Sequence, residues 1–382
     1  MGVDESLLAQ PELLIESDTG MLAATAGAGG DLRRALAEAD TEAIAAVAAA
    51  GRPRTIVVVG AGGSAVAGDV LAACAGVGSV VPVVFVNGPR LPGWVGSLDL
   101  VVTMSASGNS QETLAIAEEA GRRGAQVVGI CPAEGELADR VVRVRGHVLD
   151  LGRVTGPARA RALLWRLTAP LILLGQALGV VDGDDAVLAE AADVLDARAI
   201  ESGPSVMLGE NPSKDLAVAL AESLPLIWGT PGVAASAARR FGLQLAENAG
   251  IPSSVGSLPE VARTGARVLV GSWGRADDDD IFRDRVAEPV GPSRPHLVLL
   301  TEGDSDPLSA SLAEACADLA EGADLLVTRR TGAGNHPLIR FADLIAPLDL
   351  ASVYAGIALG VDPAGTAAGL DPRLGGKDAA SP

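Results

Sequence analysis

The residues able to do chemistry gather first at two small-residue turns. One is "IVVVGAGGSAVAGD", residues 56–69, where a β-branched run ends in Gly60-Ala61-Gly62-Gly63-Ser64-Ala65. This satisfies the loose GxGxxA form of a dinucleotide fingerprint, whose glycines let backbone approach a phosphate at a helix N-terminus. Such a unit needs an acidic residue about 20 positions on, at the end of the second strand, to hold a ribose hydroxyl. That strand ends VFVNGPR, with Asn87 where Asp or Glu is required. The other turn is Ser105-Ala106-Ser107-Gly108-Asn109-Ser110-Gln111-Glu112-Thr113, following the run LDLVVTMS. Helix N-termini leave N–H groups unpaired and suit phosphate oxygens, and hydroxyls add donors without a cation. A single serine suffices to cap a helix. The cluster Ser105, Ser107 and Ser110 therefore points to a ligand, and Asn87 makes a dinucleotide enzyme the weakest reading of the first turn.

Groups for proton transfer are few. Glu247 lies in Leu245-Ala246-Glu247-Asn248-Ala249, on the same expected helix as Arg239 and Arg240 and two turns beyond Arg240. Lys214 and Lys377 are the only lysines, and His147, His296 and His336 the only histidines. His147 and His296 fall in or at the start of strand-like runs, which favours structural roles. His336, in GAGNHP at the start of the last helix, is the one attractive acid–base candidate among them. Cys74, Cys131 and Cys316 are far apart, form no CxxC or Cys/His cluster and read as buried small hydrophobes of a reducing compartment. The acidic run Asp277 to Asp280 reads as a solvated loop, because Ca²⁺ ligands usually alternate with turn residues. Neither a metal nor a cofactor is expected.

The elements that position these groups alternate along the chain. Residues 31–50 read as an Ala-rich helix with Asp31 as N-cap. Strand-like runs follow at 55–60, 81–87, 98–105 and 125–131, with helices at about 64–75 and 111–123. After a helical stretch at 157–199 and a linker at 201–212, the alternation returns. Strands are expected at 224–230, 266–273, 296–303 and 323–330, and helices at 232–249 and 336–359. Short buried strands separated by helices imply a parallel sheet with helices on both faces. The similar order in each half suggests an internal duplication. The expected organisation is an N-terminal helical segment (1–50), a first α/β domain (51–200) and a second with a C-terminal helix and tail (201–382).

Bulk composition narrows the partners. The 382 residues are 48% hydrophobic but only 2% aromatic, so the core is built from Val, Leu, Ile and Ala. The formal net charge of −19 disfavours nucleic acid and anionic membrane. The opening MGVDESLLAQPELL has no basic region before its apolar residues and does not read as a secretory signal, and the cysteine usage suggests a reducing cytoplasm. A phosphate site on so acidic a chain needs backbone N–H groups, hydroxyls or a few placed arginines.

The string "SASGNSQETL" resembles the SxSGxTxET signature of sugar isomerase (SIS) domains, which bind phosphosugars. "GAGGSAVAGD" resembles the GMGGSAxxGD turn of the bifunctional phosphoglucose/phosphomannose isomerases, which have two SIS domains. "PLIWGTPGVAASAARRFGLQLAENAGIPS" resembles that family's stretch ending QLNENAKxP, and "FADLIAPLDLASVYAGIALGVDP" its last long helix. The similarity runs from about residue 50 to 365. It implies two doubly wound, flavodoxin-like parallel sheets and a homodimer with its site near the subunit interface. It also implies interconversion of glucose 6-phosphate or mannose 6-phosphate with fructose 6-phosphate through a cis-enediol.

Carried over by position, the resemblance places phosphate binding at Gly62, Gly63, Ser64, Ser105, Ser107 and Ser110, with Ser110 replacing the usual Thr. It makes Glu247 the carbon base. The family's ring-opening His falls on Arg263, sixteen positions after Glu247, and an arginine cannot shuttle a proton near neutral pH. His336 is the substitute candidate. The family's arginine after the first sheet corresponds to Arg159 or Arg161. Its C-terminal lysine corresponds to Lys377, with Arg373 nearby. The alternative to an isomerase is a sensor or regulatory protein that kept the phosphate cradle and lost proton transfer.

Overall fold

A computed structural model describes residues 3–60, 62–154, 156, 161–271 and 294–365. Arg159, Arg373, Lys377 and the acidic run at 277–280 lie outside the described residues. The first sheet holds β1 (Ile56–Val59), β2 (Val83–Val86), β3 (Leu100–Met104), β4 (Gln126–Cys131) and β5 (His147–Asp150), ordered β2-β1-β3-β4-β5. The second holds β6 (Leu224–Gly229), β7 (Ser254–Ser257), β8 (Pro295–Glu302) and β9 (Leu326–Gly332), ordered β7-β6-β8-β9. Every pairing is parallel. The central strands IVVV and LVVTM are buried along their whole length, as expected of strands covered on both faces. Both sheets run 2-1-3-4 in their own strand order, so the duplication suggested by the sequence is present in the topology. This is the doubly wound order in which ligands bind at the carboxyl ends of the strands, where the order reverses.

Helices fill the space around and between the sheets. Helix Gly63–Ala75 of the first half packs on helix Val233–Gln244 of the second. The last helix, Pro337–Ala358, is long and apolar enough to cross a membrane, but the window that qualifies is wholly buried inside the protein. Its buried charges are paired: Arg340 with Glu302, Asp343 with Arg198 and Asp349 with Arg240. It is therefore a core helix. Cys74, Cys131 and Cys316 are free and buried, and burial pushes the thiols of Cys74 and Cys131 up to about 12.

Three local expectations are corrected. Residues 31–50 form two helices, Ala28–Ala37 and Thr41–Ala49. Asp31 sits inside the first, while the Asp40 carboxylate takes the Ala43 N–H at 2.9 Å and starts the second. The described part of 266–273 is not a strand but the end of helix Glu260–Val270. Gly265 lets that helix sit on Trp228, since a Cβ there would lie 2.8 Å from the indole, and Leu269 is fully buried. The edge position goes to Ser254–Ser257, whose sequence SVGS lacks an apolar signal. The helix expected at 232–249 ends as an α-helix at Gln244 and continues as a single π turn, Leu245–Ala249.

Candidate functional site

The register that pairs Val59 with Thr103 brings the two small-residue turns side by side. Gly60 must lack a Cβ, which would lie 2.5 Å from that of Ser64. Gly62 adopts φ 58° at the start of helix Gly63–Ala75, a conformation that favours glycine. No side chain caps that helix start, so the Gly63 and Ser64 N–H groups face outward from it.

In the neighbouring loop the hydroxyls hold one another. Ser105 Oγ lies 3.1 Å from Ser110 Oγ and 3.4 Å from Ser107 Oγ, and it accepts the Gly108 N–H at 3.0 Å. Gly108 has φ 69° and packs against Gly135, and its carbonyl accepts the Leu137 N–H at 2.8 Å. Ser110 stands at the N-cap position of helix Gln111–Arg122 yet makes no capping bond. Its hydroxyl is directed to the loop, which removes the simple capping explanation.

These turns form one wall of a cleft of about 420 Å³, completed by residues between Val154 and Leu167 of the first half and by Arg240 and Glu247 of the second. Gly63, Ser64, Ser105, Ser107 and Ser110 line it together with Arg161, Arg240 and Glu247. Among the described lining residues the ionisable groups are these two arginines and Glu247, and the Arg240 charge is matched by Asp349 behind it. Arg240 is 3% exposed. Its Nε and Nη2 donate to the Asp349 carboxylate, and Nη1 lies 3.7 Å from where a Gly63 Cβ would be. Burial raises the Asp349 carboxyl, and Arg240 opposes that shift. Arg161 donates to the carbonyls of Glu247, Pro363 and Gly365, tying the two halves rather than presenting a free cation.

Glu247 sits on the π turn, a local unwinding often found at functional sites. Its side chain is exposed to the cleft, and Oε2 lies 3.4 Å from Gln244 Nε2. Gln244 is fixed in turn by Asn248, which also donates to Ser352 Oγ at 2.9 Å. Arg240, Asp349, Gln244 and Asn248 were not singled out as site residues from sequence. The shared spacing of Arg240, Gln244 and Glu247 on one helix was the available signal.

Two sequence candidates lie elsewhere. Arg263 is exposed on helix Glu260–Val270 and does not line the cleft. His336 caps the last helix: Nδ1 accepts the Leu338 N–H at 3.1 Å, and Nε2 meets the Asp182 carbonyl at 3.2 Å. Burial pushes this imidazole below its usual value, and the two contacts specify the neutral Nε2–H form. His336 does not line the cleft either. Lys214 is buried, with Nζ donating to the carbonyls of Pro204 and Val206 at 2.8 Å each, so it fastens the 201–212 linker.

Two parallel sheets of matching strand order, the first with two small-residue turns at its switch point, make up a double-SIS architecture. Residues 52–143 match the SIS domain model, and residues 209–368 match the bacterial phospho-glucose isomerase C-terminal SIS domain. A bifunctional phosphoglucose/phosphomannose isomerase of Caldicellulosiruptor bescii is 26% identical over 308 residues, covering 81% of this chain and 85% of that protein. One from Thermoplasma acidophilum is 32% identical over 117 residues, 31% of this chain and 34% of that protein. The fold of tagatose-6-phosphate ketose/aldose isomerase from Escherichia coli is similar, with TM-score 0.62 at 14% identity, covering 92% of this chain and 95% of that one. The chain thus carries two SIS-type domains, and over 81% of its length it is similar to a bifunctional phosphoglucose/phosphomannose isomerase.

Proposed function

We propose that the protein is an aldose–ketose isomerase of sugar 6-phosphates, interconverting glucose 6-phosphate or mannose 6-phosphate with fructose 6-phosphate. The observation that carries this is the convergence of the Ser105–Ser110 loop, the Gly63 helix start, Arg240 and Glu247 on one cleft. In this reading the hydroxyls and N–H groups take the phosphate. Glu247 moves the proton between C1 and C2 through a cis-enediol, as a general base must from within reach of the carbon acid. Arg159 and Lys377 keep the roles that their positions imply. A cytoplasmic homodimer belongs to the same reading, with Arg263 and His336 outside the cleft of a single chain. The test is an NMR assay of the purified protein with each of the three sugar phosphates, read as isomerisation rate and as affinity.

One observation favours the second reading, a phosphosugar sensor. The resemblance puts Arg263 at the family's imidazole position, and an arginine is a fixed cation. A sensor binds fructose 6-phosphate but opens the ring of cyclic glucose 6-phosphate slowly or not at all. An acyclic analogue then binds at least as well. Arg263→His raises turnover if the defect is the missing imidazole and leaves it unchanged if ring opening is handled elsewhere.

A further inference from the structure

The second sheet repeats the architecture of the first, but its cradle is already occupied. Strand β6 leads through Thr230, Pro231 and Gly232 (φ 102°) into helix Val233–Gln244, as β1 leads through Gly62 into helix Gly63–Ala75. Strand β8 pairs with β6 as β3 pairs with β1. In the first half the chain after β3 supplies the serine loop. In the second half β8 ends in Glu302. Its Oε1 accepts the Ala234 N–H at 3.1 Å, and its Oε2 takes Arg340 Nε at 3.2 Å. The carboxylate lies directly on the glycine turn: a Cβ on Gly232 would be 2.5 Å from Oε1. Glu302 and Arg340 are 9% and 8% exposed. Ser305 Oγ fixes the following turn, donating to the Glu302 carbonyl at 2.8 Å and lying 3.0 Å from Thr230 Oγ1. A negatively charged oxygen group therefore sits where the corresponding turn of the first domain presents its anion site.

We infer that Glu302 is an internal substitute for phosphate, which closes the second domain's anion cradle and confines phosphosugar binding to one site per chain. The ligand class of the closed cradle is a tetrahedral oxyanion such as inorganic phosphate. The backbone N–H and Arg340 that now hold the carboxylate are its donors. The inference rests on reading the first domain's turns as a phosphate site, and not on isomerase activity.

The experiment counts inorganic phosphate bound per chain by equilibrium dialysis. It uses the full-length protein, Glu302→Ala, Glu302→Ser and Glu302→Gln, each alone and with Ser107→Ala. The wild type is expected to bind one equivalent. Glu302→Ala and Glu302→Ser gain a second that survives Ser107→Ala, while Glu302→Gln keeps the cradle filled and gains none. Phosphate also raises the melting temperature of Glu302→Ala more than that of the wild type. A folded Glu302→Ala with no added equivalent overturns the inference. So do two equivalents on the wild type, or alanine and serine variants that stay unfolded in phosphate. If the wild type binds none and Glu302→Ala gains one, the functional reading of the serine loop fails while the role of Glu302 stands.

Discussion

Arg240 and Asp349 face each other across the two long helices of the second half, and the pair is closed on one side and open on the other. Nε donates to both carboxylate oxygens at 3.2 and 3.3 Å, and Nη2 donates at 3.0 Å. The remaining Nη1 points to Gly63 and the cleft. The carboxylate thus fixes a guanidinium without using the nitrogen nearest Gly63. Removing one partner of a buried pair leaves an uncompensated charge and costs about 3–5 kcal/mol, whereas replacing both by apolar residues is often neutral. Arg240→Met alone is therefore expected to lower the melting temperature. Arg240→Met combined with Asp349→Leu recovers most of it. Both variants lose sugar-phosphate affinity by about 1.5–3 kcal/mol, the value of a charge-assisted hydrogen bond. Calorimetric titration with fructose 6-phosphate checks this, and wild-type affinity in the double variant would show that Nη1 does not meet the ligand.

The serines of the loop separate into two kinds. Ser107 is exposed and takes the exposed Asn109 N–H at 3.3 Å, whereas Ser105 is 3% exposed and accepts the buried Gly108 N–H at 3.0 Å. Ser107→Ala is expected to weaken fructose 6-phosphate binding by about 1–3 kcal/mol with little change in melting temperature. Ser105→Ala leaves the buried Gly108 N–H only its longer bond to the Ser105 carbonyl at 3.3 Å, and lowers both binding and stability. Parallel titration and thermal unfolding of the two variants measure the contrast. Equal losses of stability would mean that Ser107 is a loop-building residue.

Much of this was legible because parallel strands read as β-branched runs and because a cluster of serines exceeds what a helix cap needs. The misread edge shows the limit. ARVLVG has the apolar density of a strand, yet Gly265 and Leu269 supply a helical face, while Ser254–Ser257 pairs through its backbone alone. The site was legible as far as single turns go. Asp349 lies 109 positions from Arg240, and Glu302 lies 68 from Ala234. Such partners are fixed by how the elements of the second half pack on one another, which no local spacing encodes. The π turn likewise shifts Glu247 relative to Gln244 in a way that a 3.6-residue period does not foresee.

A second ion pair predicts the acid behaviour of the first domain. Asp99 is buried and accepts Arg54 Nε at 2.9 Å and the Gly96 N–H at 2.8 Å. Burial alone would raise its carboxyl, but Arg54 and the backbone donor outweigh burial and hold it below the usual carboxylate value. Between the folded and unfolded values the unfolded chain binds more protons, so stability rises with pH there. The contribution is complete above the unfolded value of about 3.9 and is lost as pH falls through the lower folded value. Asp99→Asn is therefore expected to melt below the wild type at neutral pH, with the gap closing in acid. Melting curves from pH 7 to pH 3 test it. A gap that stays constant would assign the loss to packing rather than to charge.

Glu247 is the group whose role is chemical in the proposed reaction. Its carboxylate borders Gln244, and Gln244 is braced by Asn248, whose amide donates to Ser352 Oγ, which donates to the Asp349 carbonyl at 2.6 Å. The same helix thus positions the base and, through Asp349, the cation of the cleft. Glu247→Gln keeps shape and removes the proton acceptor. General acid–base groups contribute about 10²- to 10⁴-fold, so exchange of the C2 proton with solvent should fall by at least that factor. Fructose 6-phosphate affinity should stay within a few-fold, because the phosphate is held by other groups. Deuterium incorporation followed by NMR, alongside titration of the same preparation, separates the two quantities. Exchange at the wild-type rate in Glu247→Gln would place the carbon base elsewhere. Loss of binding together with exchange would make Glu247 a ligand-holding group instead of the base.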